Sequence, residues 1–134
     1  MNDRYTSDQL RLNHLSSIVL DAAITVHREM GPGLLENIYQ YCMVKELRSR
    51  DLDVSTMVPV TLYYKGEPLR KDYFVDIIVE NEIILELKAV EGILNVHEAQ
   101  IISYLKLANR RLGFLINFNV PLLKNGFKRF VNKF

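Results

Sequence analysis

Cysteine is nearly absent: Cys42 is the only one in 134 residues. A single thiol excludes an internal disulfide framework and any zinc site built from paired cysteines, and it fits a reducing compartment. An excess of one charge is also missing. The net charge is +1 at pH 7, so no whole-protein basic field advertises nucleic acid, and such binding has to be local. No uninterrupted apolar run approaches the length of a membrane span, and residues 1–17 are polar, without an apolar signal core. Repeats, low-complexity segments and linkers are not visible. These absences point to a cytoplasmic protein with no membrane partner. What is present is ordinary for a globular chain, 49% apolar and 25% charged. The length suits a single domain over 1–134 with a real core.

Taken in order, the chain starts with residues up to about Thr6 that read as a frayed end. Thr6 followed by Gln9 is a helix-opening box. Leu15, Ile18, Val19, Ala22, Ala23, Val26 and Met30 then recur at helical spacing, and Gly31-Pro32-Gly33 ends the helix. His27, beside that stripe, reads as a packed or solvent-edge histidine rather than a catalytic one. A second helix is expected from Leu34 to about Arg50, with Leu35, Ile38, Tyr39, Cys42 and Leu47 buried. Cys42 reads as a small core residue. Glu36 falls in the first turn, where a carboxylate suits the positive end of the helix dipole.

Residues 52–56 read as a connection, and strands are expected at about 58–64, 69–79 and 82–90. Asn95, with Glu98 three residues on, looks like the cap of a helix running to about Ala108. Its packing side is expected to be Ala99, Ile102, Leu105 and Ala108. Gln100 and Tyr104 lie one turn apart on it. His97-Glu98 is not a zinc motif, because no second histidine follows at the required spacing. Residues 112–118, LGFLINF, are apolar on both faces and suit a central strand reached by a crossover helix. A turn at Asn125-Gly126 precedes a last short strand at about 127–132. Lys124, Lys128, Arg129 and Lys133, with Arg110 and Arg111, make a local basic surface. It is either solvated or turned to phosphates.

The rest of the chain is arranged around residues 73–90, YFVDIIVENEIILELKAV. Two β-branched runs flank the short polar turn 80–82. Asp76, Glu86 and Lys88 interrupt the apolar runs in strand interiors, where charged residues are disfavoured. Glu86 and Lys88 share a face. If the turn is the three residues 80–82, Val79 pairs with Ile83 and Asp76 stands opposite Glu86; a two-residue turn would separate the acids. Two readings fit such a cluster. One is a structural group in which Lys88 neutralises part of the charge. The other is a site, because local rules broken together often mark function. Carboxylate oxygens suit a hard divalent cation such as Mg²⁺ or Mn²⁺, and a neighbouring lysine suits water activation or charge stabilisation. That equipment serves metal-assisted phosphodiester hydrolysis.

Asp76, followed after nine residues by Glu86-Leu87-Lys88 on consecutive strands, resembles the signature of the PD-(D/E)xK nuclease superfamily. Gly33-Leu34-Leu35-Glu36-Asn37-Ile38-Tyr39 resembles the pattern that names the GxxExxY protein family, a group of small bacterial and archaeal proteins within it. The likeness spans the chain from the first helix to at least the strand at 112–118. It implies a restriction-endonuclease-like αβββαβ core, a mixed sheet flanked by helices, with an extra N-terminal helix. It further implies a metal held by Asp76 and Glu86, with Glu36 and the main-chain carbonyl of Leu87 as further ligands. Lys88 becomes the catalytic lysine, and Gln100 and Tyr104 match a glutamine–tyrosine pair of the exonuclease-like branch. Val75 departs from the pattern by replacing the proline before the aspartate.

The leading expectation is a Mg²⁺- or Mn²⁺-dependent nuclease acting on nucleic acid, DNA ahead of RNA. The alternative is a non-catalytic nucleic-acid-binding or protein-interaction module on the same fold. Near-neutral charge and small size favour the alternative, and a homodimer or protein partner would then supply the missing grip on substrate.

Overall fold

The computed structural model describes residues 5–134, and of residues 70–72 the backbone alone. Most of the expected frayed start, residues 1–4, lies outside the described residues. Helix α1, Ser7–Met30, opens on the expected box: the Thr6 hydroxyl accepts from the Gln9 N–H, and the Gln9 side chain accepts from the Thr6 N–H. Helix α2 is Glu36–Ser49. Strands β1, Val54–Tyr64, β2, Glu67–Val79, and β3, Ile83–Lys88, form a meander. Helix α3, Asn95–Leu107, crosses to β4, Leu112–Asn117, and a short 3-10 turn at Leu123–Gly126 leads to β5, Phe127–Val131.

The five strands lie in the order β1-β2-β3-β4-β5. Only β3 and β4 run parallel, joined through α3 as expected for a crossover. The core elements after α1 therefore follow the order α, β, β, β, α, β, and α1 is the additional N-terminal helix.

Each face of the sheet has its own core. Ile77, Val79, Ile83, Leu85 and Leu87 pack with Phe114 and Ile116 against α1 and α2. Ile78 and Ile84 pack with Val60, Val75 and Leu105 under α3. Residues of β4 are buried on both faces, as its continuous apolar run requires. Gly113 lets α3 come close: a Cβ there would sit 3.2 Å from both Ile101 and Leu105 side chains.

Several expectations are corrected. α2 begins at Glu36, not Leu34, and its buried stripe is Tyr39, Met43 and Leu47. Leu35, at 74%, and Ile38 are exposed, while Cys42 is half-buried against the larger core. β1 starts at Val54, inside the expected connection, because Val54, Ser55 and Thr56 pair with Val79, Ile78 and Ile77. β3 ends at Lys88 rather than residue 90. In α3, Ile101 and Leu105 are buried while Ala99 and Ile102 face out. The helix is apolar over so much of its circumference that periodicity alone does not choose the packed side. Asn95 is its first residue, not its cap; the residue before it, Leu94, makes no side-chain cap bond.

The basic surface is largely engaged with its own neighbours. Lys128 pairs with Glu98 at 2.8 Å, Arg111 with Asp8, and Arg110 donates to the Ala108 carbonyl and to Asn81. Arg129 lies over the Phe134 ring.

Candidate active site

The turn between β2 and β3 is the three-residue one: Val79 pairs with Ile83, and the Glu82 N–H closes onto the Val79 carbonyl at 2.9 Å. Glu80 and Asn81 take φ of 52° and 56° with no glycine to ease it. Bonds from outside the hairpin hold them. Glu80 bonds through its N–H to the Asp53 carbonyl and accepts the Asp53 N–H on its carboxylate, and Asn81 accepts from Arg110.

This register carries Asp76 to the level of Glu86, but the β2–β3 ladder stops one step short, at Ile77↔Leu85. There β2 leaves β3. Val75 packs under α3 while Ile77, two residues on, packs under α1 and α2, so the ordinary alternation breaks at Asp76. On the other side of Asp76 the β1–β2 ladder skips Met57, which has φ 48°. The cleft opened by the diverging strands holds the two carboxylates.

Glu86 is buried, at 6% exposure, and Asp76 is half-buried. Burial is the largest influence on Glu86, and the charge of Asp76 adds to it. Together, against the pull of Lys88, they raise its pKa from 4.5 to about 8. Burial also raises Asp76, opposed by its hydrogen bond with Glu86, by Lys88 and by the Leu87 N–H. The pair thus shares a proton near neutral pH. One Glu86 oxygen, Oε1, is buried with no hydrogen-bond partner. Buried polar atoms are rarely left so, because the desolvation is uncompensated.

Glu36 reaches the same cleft from α2. Gly33, at φ 96°, turns the chain. Tyr39, fully buried and stacked on Phe118 with ring centres 4.6 Å apart, donates its hydroxyl to the Gly31 carbonyl and accepts the Leu34 N–H. The tyrosine ties down the loop that presents Glu36, which gives the Gly33–Glu36–Tyr39 spacing a physical sense. Glu36 stands at the open rim. Desolvation by the surrounding protein raises its pKa; Lys88 lowers it, Asp76 raises it and His97 lowers it.

Helix α3 contributes Tyr104. Burial and the charges of Glu86, Tyr73 and Asp76 raise its pKa, which locates it beside the pair. Its ring lies 5.7 Å from that of Tyr73 on β2. Gln100 is exposed one turn earlier, and among the described residues its side chain makes no hydrogen bond. The structure therefore gathers Asp76, Glu86, Lys88, Glu36 and Tyr104 about one cleft and leaves Gln100 at its edge.

Two nearby residues were given no role from the sequence. Asn117 is buried beside Lys88 in the β3–β4 register, and its amide brackets Val90: Oδ1 accepts the Val90 N–H and Nδ2 donates to the Val90 carbonyl. It anchors the chain just beyond Glu86-Leu87-Lys88. No local pattern marks an asparagine for that work. His97 accepts the Leu94 N–H on Nδ1, which leaves Nε2 protonated in the neutral ring, near Glu36. A histidine three residues after a helix cap, where Glu or Gln usually sits, was the available signal.

The donor set fits a divalent cation of the magnesium type. Among the described residues no three His, Cys, Asp or Glu side chains form a ready cage. Mg²⁺ is usually held by one or two carboxylates, with water and substrate phosphate completing the shell. The unpartnered Glu86 oxygen and the raised pKa of the pair are what a carboxylate site short of one cation displays.

No curated protein and no solved structure matches the chain. The family model described as the PD-(D/E)XK nuclease superfamily matches residues 13–130, from within α1 to the end of the sheet. That superfamily generally uses divalent metal ions and acts on nucleic acid. With the restriction-endonuclease-like order of elements and acids at the divergence of β2 and β3, the match over most of its length makes this chain a member of the PD-(D/E)XK nuclease superfamily.

Proposed function

We propose that the protein is a Mg²⁺- or Mn²⁺-dependent nuclease, acting on DNA in preference to RNA, as a single domain of the GxxExxY type in a prokaryotic cytoplasm. The observation that carries the reading is the buried Asp76–Glu86 pair with its orphaned oxygen, beside Lys88. Asp76 and Glu86 hold the metal, and Glu36 and the Leu87 carbonyl complete the protein's share. The bound ion supplies Lewis-acid polarisation of the phosphate and a more acidic water. Lys88 orients the attacking water by donating an N–H to its oxygen and steadies the charge that develops on the phosphate. Tyr104, held against Tyr73, positions the nucleic-acid backbone, and Gln100 joins it from the adjacent turn once substrate covers the cleft.

The test is cleavage of single- and double-stranded DNA and of RNA with Mg²⁺ or Mn²⁺, wild type against Lys88→Ala. Cleavage that disappears in a folded Lys88→Ala protein supports the reading. Metal binding with no cleavage by either protein sinks it and favours the non-catalytic module, with a dimer or protein partner for grip. The near-neutral net charge is the observation on that side.

A further inference from the structure

We propose that the groove between α2 and β1 is a track for single-stranded nucleic acid, with a base stacked on Tyr41 and phosphates held by Lys45 and Arg48. For the destination of the strand this rests on the nuclease reading, but binding in the groove stands apart from cleavage.

The groove has a volume of about 620 Å³, within the range of nucleotide-sized sites. Asn37, Gln40, Tyr41, Lys45 and Arg48 line one wall. Their spacing is that of one helix face, next to the buried stripe of Tyr39, Met43 and Leu47. The face extends over roughly 17 Å at 1.5 Å per residue. Met57 lines the opposite wall, 55% exposed and held out by its left-handed backbone.

The chemistry of the lining selects the occupant. Two cations line the groove and no carboxylate does. Among the described residues neither Lys45 nor Arg48 is in an ion pair, whereas Arg11, Arg50, Arg111 and Lys128 are. Arg48 donates to the Val54 carbonyl at 3.0 Å, which steadies its guanidinium on the wall. Tyr41 is 70% exposed on the same face, and stacking on an aromatic ring needs an unpaired base. A duplex keeps its bases stacked inside and presents only its backbone, so it would forgo the tyrosine. The Asn37 and Gln40 amides offer donors and acceptors to base edges.

The groove also leads to the site. Asn37 follows Glu36 in the first turn of α2. Met57 lies between Thr56, paired with Ile77, and Val58, paired with Val75, and so stands across from Asp76. A strand on this face would arrive at the carboxylates from the α2 side.

The experiment is fluorescence anisotropy of a short labelled oligothymidylate with the full chain in EDTA, where nothing is cleaved. Binding is expected, weakening with salt, and weaker for a duplex of the same length. Tyr41→Ala and Lys45→Gln, both at exposed positions, are each expected to weaken it about 5- to 10-fold. Arg28→Gln, exposed on α1 and not part of the groove's lining, is expected to leave it unchanged. Absence of single-strand binding, or equal binding by wild type and both variants, overturns the proposal. So does polyglutamate competing as well as the oligonucleotide, which would mark an acidic protein as the occupant. Binding through Tyr41 and Lys45 without metal-dependent cleavage would keep the groove and lose the nuclease. Metal-dependent cleavage with single-strand binding indifferent to both variants would do the reverse.

Discussion

Strand β3 has a charged cluster at each end, and the two are built on opposite terms. At its start, Glu82 meets Arg11, which also bonds Asp8, and Asp8 in turn meets Arg111. Charges alternate in sign and every carboxylate has a guanidinium. Hydrogen bonds from Arg11 hold both Asp8 and Glu82 below the usual carboxylate range, with Arg111 helping Asp8. At its end, Asp76 and Glu86 face one another in a drier setting, Lys88 is the nearby cation, and an oxygen has no partner. A cluster that satisfies itself at the surface does little more than hold its place. One that is buried and short of a positive charge is prepared for something it does not contain.

The sharpest way to break this contrast is to remove one cation from each cluster. Lys88→Ala is expected to lower cleavage by about 10²–10³-fold, the scale for a lost donor to developing charge. Arg11→Ala is expected to leave it unchanged. A gel-based nuclease assay on both variants decides; equal losses would erase the distinction.

Next in size is proton competition. Glu86 keeps its proton up to about pH 8 in the metal-free protein, and a metal has to displace it. Mn²⁺ affinity, measured by calorimetry, should rise by up to about tenfold per pH unit between about pH 6 and 8, with proton release near neutrality. Affinity flat across that range would show that the pair is already ionised.

The same shift has a consequence for stability. Glu86 titrates higher folded than unfolded, so below about pH 4.5 both states hold the proton and its contribution is intact. As pH rises from about 4.5 to 8 the unfolded chain releases the proton first, and stability is lost. In EDTA at pH 9, Glu86→Gln should therefore melt above wild type by at least a few degrees, with the gap closing at pH 4. The first cluster works with the opposite sign: Asp8 and Glu82 support the fold above their unfolded pKa values and lose that support as pH falls. A wild-type melting curve with no decline between pH 5 and 8 in EDTA would contradict the assignment to Glu86.

The smallest effect belongs to the exposed network. Arg11→Ala should shift the melting temperature by no more than about two degrees, and less at high salt. A larger shift, insensitive to salt, would mean that this cluster is also structural glue.

Much of this was legible before any coordinates. Periodicity identified α1, the meander and the buried β4, and the Thr6–Gln9 box its cap; Asp76 level with Glu86 was one of two registers left open, and the structure chose it through the three-residue turn. The faces of α2 and α3 were less legible. Leu35, Ile38 and Ile102 are apolar yet exposed, and the choice among apolar faces is made by the neighbouring sheet. Val54, Ser55 and Thr56 joined β1 because β2 offered partners, which no local propensity announces.

By itself, then, the sequence determined the kinds and order of the elements and the acids and lysine that share the β2–β3 hairpin. These depend on short-range rules, the period of a strand or helix and the length of a turn. Tertiary structure decided what those residues became. It parted β2 from β3 at Asp76, and it brought the first turns of α2 and α3 to the same cleft. It anchored the end of β3 through Asn117 and buried Glu86 until one oxygen had no partner. Desolvation and proximity between distant segments are properties of packing, and packing is settled only when the whole chain has folded.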